Sequence, residues 1–438
     1  MKFPSFFTFI FLLFSSSTFA IPTIEHWQTD NGTRVYFVPA PDLPMVDIEV
    51  VFDAGSARDN EKPGLASLTN GLLSEGAGGY SADQVAEKFD NLGAKISNWV
   101  SLDMATVSLR SLSETEVLQP ALKMLALLLA KPDFDETSFE RVRQQTLVTL
   151  KYQQQTPQNI AQKAFYGAVF GTHPYATLST GTIESVEALT RDNVKSFHSR
   201  YYATKNALVT IVGALDRKAA ENVANMVVKQ LPTGKAAPAL PPVAQLNEAK
   251  RIDITHPSTQ THVLIGQPGV ARGDPEYFTL YVGNYILGGS GLVSQLAEEV
   301  REKRGLAYST YSHFFPQRVA GPFMASLETR NDQLTQALQV IQDTLRNFIE
   351  KGPSESDLKK AKQGITGSFP LRIAANSNII SYLSTIGFYN LPKDYLHTFN
   401  KNVEAVTLEM IKEAFRRRVN LDKLVTVTVG KGKKSTAK

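Results

Sequence analysis

The chain has 438 residues, which exceeds one ordinary domain and predicts about two to four. Hydrophobic residues at 42% and charged residues at 20% exclude a disordered polymer. A net charge of +4 is small for this length and gives no case for nucleic acid or an anionic membrane as main partner, and the absence of cysteine excludes disulfides and thiolate chemistry.

The first segment predicts export. Lys2 is followed by an apolar run of nine residues, Phe6 to Phe14, and then by SSSTFA, with small residues Thr18 and Ala20 where a signal peptidase reads. This spells a secretory signal, 1–20, cut after Ala20, and hence a periplasmic location in a bacterium. The run falls well short of the about 20 apolar residues a spanning helix needs, and no later run does better, so no membrane span is expected.

Asn31-Gly32 is a hairpin-type turn signal. It precedes two β-rich runs, RVYFVPA and VDIEVVFDAG. GLASLTNGLLSEG, 64–76, opens a helix that Gly71 and Gly76 weaken. LQPALKMLALLLAKP and SFERVRQQTLVTLKYQQ predict long helices. Val186 to Gly213 reads as a helix capped by Thr190 and followed by a β-branched strand. Residues 231–250 hold four prolines and predict a semi-rigid linker. The pattern then restarts. THVLIGQPG is a strand, SQLAEEVREKR a helix that Gly305 ends, and AYSTYSHFF a strand. LTQALQVIQDTLRNFIEKG and DLKKAKQGITGSF are again long helices.

The restart is a duplication. Val186–Gly213 aligns with Val403–Gly430 over 28 positions without a gap, and eight are identical. Thr407 takes the capping place of Thr190. The expected fold is α+β, with two tandem homologous domains, 21–230 and 251–438. Each is an antiparallel sheet with helices packed on one face, and a ligand cleft lies between them.

Three stretches carry a resemblance: DAGSARDNEKPGLA (53–66), HPYATLSTGTIESVEALTRDNVKSFHSRYY (173–202) and ILGGSGLVSQLAEEVREKRGLAYSTYS (286–312). Together they resemble the insulinase/pitrilysin family of zinc metallopeptidases, the inverzincins, and the likeness covers nearly the whole chain after the signal. The resemblance implies a clam-shell chamber, of which this chain would form half. In active members the helix after GLA carries His-x-x-Glu-His. Two histidines at i and i+4 share a helical face and bind zinc, the glutamate activates water, and a later glutamate completes the ligand set.

This chain departs from that pattern at each position. Ser67 and Gly71 stand for the histidines, Asn70 for the glutamate, and Thr149 for the later ligand, in a stretch without Asp or Glu from Arg141 to Ile183. The seven histidines, at 26, 173, 198, 256, 262, 313 and 397, include no pair three to five residues apart. No metal is therefore expected in this chain, and a zinc-free subunit is predicted.

The second half keeps what the resemblance implies is the other side of the chamber. There, an arginine and a tyrosine with six residues between them hold substrate and oxyanion; here they are Arg301 and Tyr308. Arg304 competes for the first role. GGSG, Gly288, Gly289, Ser290 and Gly291, lacks the Lys-Ser/Thr of a phosphate loop and predicts a tight turn with backbone close to substrate. The resulting expectation is a non-catalytic subunit acting on peptide substrate beside a zinc-bearing homologue. The alternatives are a peptide-binding or scaffold protein of the same fold, or a self-sufficient peptidase with another metal site. Self-association into a homo-oligomer is left open.

Overall fold

The computed structural model describes residues 21–431, and the signal segment predicted at 1–20 lies outside them. The first half runs β1 (Glu25–Gln28), β2 (Arg34–Pro39), β3 (Met45–Phe52), α1 (Leu65–Leu72), the two-residue strands β4 (Gly76–Ala77) and β5 (Tyr80–Ser81), α2 (Ala82–Asn91), β6 (Lys95–Val100), β7 (Ala105–Leu112), α3 (Thr115–Ala130), α4 (Glu136–Gln153), α5 (Pro157–Phe170), α6 (Ile183–Glu187), α7 (Arg191–Tyr201), β8 (Ala207–Gly213) and α8 (Arg217–Val228). The second runs β9 (Lys250–Thr255), β10 (Gln260–Pro268), α9 (Tyr277–Asn284), β11 (Ala307–Phe314), β12 (Pro322–Arg330), α10 (Leu334–Lys351), α11 (Glu355–Arg372), α12 (Asn376–Phe388), α13 (Tyr395–Glu404), α14 (Leu408–Arg418) and β13 (Val425–Gly430).

The duplication is visible in the sheets. The first sheet has the order β1-β2-β8-β3-β7-β6 and the second β11-β12-β10-β13-β9. Read from β6 and β11 inward they match strand for strand, with β1 extra. Both are antiparallel except for one parallel pair each, β2 with β8 and β9 with β13. The aligned repeats become α7–β8 and α14–β13. Their predicted caps are made, Thr190 accepting from the Asn193 N–H and Thr407 from that of Met410.

The central strands β8 (ALVTIVG) and β13 (VTVTVG) are buried at every position, which one covered face cannot explain. Each half's own helices cover one face, and the second face is covered from the other half. Helix α5 of the first half lies across β13 and β10, while α12 of the second lies across β8, β3 and β2. Glycine permits the close approach. A Cβ on Gly387 of α12 would stand 2.9 Å from Leu208, and one on Gly266 of β10 would stand 2.9 Å from Phe165 of α5. The apolar residues of α12, Ile379, Ile380, Leu383, Ile386 and Phe388, are all buried. Each contributes about 1.5–3 kcal/mol relative to exposure.

A buried polar network joins the halves. Asp103 is 1% exposed and accepts from Tyr175 Oη (2.5 Å), Tyr389 Oη (2.9 Å) and the Arg318 N–H (2.7 Å). Asp53 pairs with Arg58 at 2.7 Å and with Arg318 at 3.0 Å. Residues 231–249, the predicted linker, carry neither helix nor strand. They are seated on the same network, where Arg58 donates to Pro238 O (2.7 Å) and His173 Nε2 lies 3.0 Å from Pro241 O.

Candidate functional site

The helix that the sequence resemblance would place at a zinc site is α1. Its start is fixed by Asp59, whose carboxylate accepts from the N–H groups of Gly64 (2.8 Å) and Ala66 (2.7 Å). Burial pushes the Asp59 carboxyl up to about 8, against the pull of these two bonds. Gly64 precedes the helix at φ 94, a left-handed conformation that glycine adopts without strain.

The side chains on α1 are committed to packing. Ser67 Oγ donates to Ser179 O at 2.6 Å. Asn70 is buried, its Nδ2 donating to Tyr202 Oη at 3.1 Å and its backbone O accepting from Asn98 at 2.7 Å. A Cβ on Gly71 would meet only Val142 of α4, at 3.9 Å. Thr149 of α4 is exposed and donates to its own helix, at Gln145 O. Glu75, the carboxylate nearest to α1 in sequence, pairs with Arg141. Among the described residues no three His, Asp or Glu side chains converge as metal ligands. A bonded hydroxyl, a buried amide and a glycine do not fit zinc. Overnight chelation is accordingly expected to leave the melting temperature unchanged; a fall of several degrees would reveal a structural metal.

Tyr202, which holds Asn70, is itself stacked on His198 at 4.8 Å. His198 meets Phe134 edge-on and places Nε2 2.9 Å from Leu129 O. Burial drives its pKa from 6.5 to about 4, so it stays neutral and donates to that carbonyl. Between these values the unfolded chain binds a proton that the folded chain refuses. Stability is therefore complete above about pH 6.5 and falls toward pH 4, by up to about 1.4 kcal/mol per pH unit. His198→Gln, which keeps a donor for Leu129 O, should flatten that part of the urea-midpoint curve against pH. An identical slope in the variant would remove His198 as its source.

Arg301 and Tyr308 come together. SQLAEEVREKR winds as a π-helix over Ala297–Glu302, a wider turn than the α-helix its sequence suggests, and Gly305 at φ 61 ends it. The strand β11 follows at once. Arg301 Cζ sits 5.2 Å from the Tyr308 ring centroid, a cation–π distance. Tyr308 is 82% exposed, and the guanidinium's ion-pair partner is its chain neighbour Glu302 at 3.5 Å. Arg304 is engaged elsewhere, bonding Glu299 through both its backbone and carboxylate oxygens.

The glycine run divides. Gly288 is buried, and a Cβ there would stand 2.4 Å from Ser312 N, so this glycine serves close packing of the π-helical turn Tyr285–Gly289 on β11. Gly289, Ser290 and Gly291 remain partly exposed, with Gly291 at φ 66 turning the chain. Sequence reasoning missed Tyr202 and Asp103, which lie far along the chain from the groups they hold and carry no local signal.

Comparison with known proteins finds matches over most of the chain. The family model described as "Insulinase (Peptidase family M16)" matches residues 34–182, and "Peptidase M16 inactive domain" matches 188–365. The crystal structure of a peptidase M16 inactive domain from Pseudomonas fluorescens is 39% identical, with a TM-score of 0.91 over 93% of this chain and 98% of that one. The "Non-peptidase homolog YmxG" of Helicobacter pylori is 27% identical over 90% of each chain. The "Uncharacterized zinc protease YmxG" of Bacillus subtilis is 25% identical over 82% of this chain and 86% of the relative.

Proposed function

Because the chain belongs to the insulinase family, peptidase family M16, and fills that family's zinc positions with Ser67, Asn70 and Gly71, we propose that it is an exported, zinc-free subunit of a heteromeric peptidase. It would contribute Arg301 and Tyr308 to a chamber whose zinc is held by a homologous partner. The observation that carries this reading is the Arg301–Tyr308 pair, a half-buried guanidinium on an exposed ring, beside an α1 whose Ser67 and Asn70 are taken up by packing. A guanidinium and a phenol are suited to hold a peptide carbonyl and the oxyanion that forms from it. On this reading the phrase zinc protease, carried by several relatives, does not describe this chain by itself.

The test is capture of the tagged chain from its native periplasm, followed by reconstitution. Stoichiometric recovery of a homologue bearing His-x-x-Glu-His, and peptide cleavage that requires both chains, is the expected result. Recovery of the chain alone, or cleavage by the homologue that this chain does not alter, would defeat the proposal and favour a peptide-binding scaffold.

A further inference from the structure

Two arginines other than Arg301 share one recess. A cavity of about 320 Å³ opens in the second half between α9, the π-helical turn, β11 and the end of α11. Arg272 and Arg372 line it, with Tyr277, Tyr281, His313 and Phe314, and no Asp or Glu does. The acidic residues close to Arg272 in sequence are already spent. Asp274 pairs with Arg418 at 3.0 Å, and Glu276 pairs with Arg418 at 2.7 Å and Arg417 at 2.5 Å. Arg272 is left against the rings of Tyr277 and Tyr389, 5.6 Å from each centroid. Its Nε is buried and has no hydrogen-bond partner among the described residues. Arg372 donates to Tyr281 Oη at 2.7 Å.

Two guanidinium groups sharing one recess without a carboxylate are poorly compensated, because each loses hydration and gains no anion. An orphaned buried guanidinium N–H aimed at no acceptor marks where an acceptor is missing. A carboxylate meets both requirements, since it neutralises charge and takes paired bonds from a guanidinium fork. Apart from Asn284, whose amide is bonded to Ser312, and Gly289, the rest of the lining is apolar or aromatic, including Val270, Leu280 and Phe314. The volume sits at the lower end of the about 300–1,000 Å³ usual for ligand sites, so the occupant is small. The geometry points to a carboxylate site, in which Arg272 and Arg372 receive an anionic group carried on a stem of about one apolar residue, as at the free end of a peptide. This site does not depend on whether a zinc-bearing partner exists.

The probe is N-acetyl-phenylalanine, compared with its C-terminal amide, titrated calorimetrically into the intact chain lacking residues 1–20. The free acid should bind, and the amide should bind about tenfold more weakly or not at all. Arg272→Gln and Arg372→Gln should each weaken the acid by about tenfold with little effect on the amide. Equal binding of acid and amide, or no binding of the acid up to about 10 mM, would overturn the site. Inorganic phosphate that displaces the acid at equal concentration would overturn the requirement for a stem. Should a variant fail to fold, the acid-against-amide comparison on the unsubstituted protein still decides.

Discussion

Arg301→Ala should lower the kcat of the reconstituted two-chain peptidase by about 100-fold or more, while the melting temperature of this chain stays within about a degree. The size follows from where the charge acts. A donor that meets the developing oxyanion in a chamber closed to water is worth far more than one in bulk solvent, and its loss appears in kcat rather than KM. The stability half of the expectation follows from exposure. Arg301 has only its chain neighbour Glu302 as ion-pair partner and is stacked on a ring that is itself 82% exposed, so removing it strands nothing buried. Tyr308→Phe keeps the ring under the guanidinium and removes only the hydroxyl, and about a tenfold loss is expected. The double variant should fall short of the product of the two, because both donors act on the same oxyanion. Steady-state cleavage of a fluorogenic peptide by mixed chains measures all three. Full activity in both single variants would dismiss the assigned roles.

Asp103→Ala should be the most destabilising single change outside the apolar cores, at about 3–5 kcal/mol in urea unfolding. The substitution removes the acceptor of three donors: Tyr175 Oη and the Arg318 N–H are stranded, and Tyr389 Oη keeps only Gln317 Oε1 at 3.2 Å. Burial first and the Asp103 charge second push both phenols well above the usual tyrosine range, so both remain protonated donors at any ordinary pH. Two of the three belong to the second half, so the loss is a loss of attachment between halves. Asp103→Asn retains one carbonyl acceptor and should cost less than the alanine. A loss below about 1 kcal/mol for the alanine would mean that solvent replaces the carboxylate, against its 1% exposure.

The parts of the molecule that were legible in its sequence are those specified locally. Thr190 and Thr407 announce their helices because a cap needs only its own hydroxyl and an N–H three residues on. The two Val-Gly strands could be matched across the chain because a duplication preserves spacing. The chemistry open to α1 is local as well, since no arrangement of Ser67, Asn70 and Gly71 supplies imidazole. What could not be read depends on partners far away. Nothing near Asn70 points to Tyr202, and nothing near Asp103 points to Tyr389. The π-helical winding around Arg301 was hidden because its apolar spacing is close to that of an α-helix. The full burial of β13 was not readable, because VTVTVG alternates as a strand with one exposed face would. The stretch at 53–66 was readable as a motif, but its reason is structural. Asp53 and Arg58 belong to the network between halves, and a Cβ on Gly55 would fall 2.4 Å from Leu102 O.

The crossed placement of α5 and α12 bears on ancestry. Two copies of one unit, each lending the same helix to its twin about a shared dyad, make an isologous swapped dimer. This chain reproduces that arrangement within one polypeptide, with residues 231–249 in place of the gap between subunits. A single ancestral unit would have had an unfinished surface that only its sibling could complete. Within one polypeptide that pairing is permanent, so the two copies need not stay alike, and only the second carries the Arg301–Tyr308 pair.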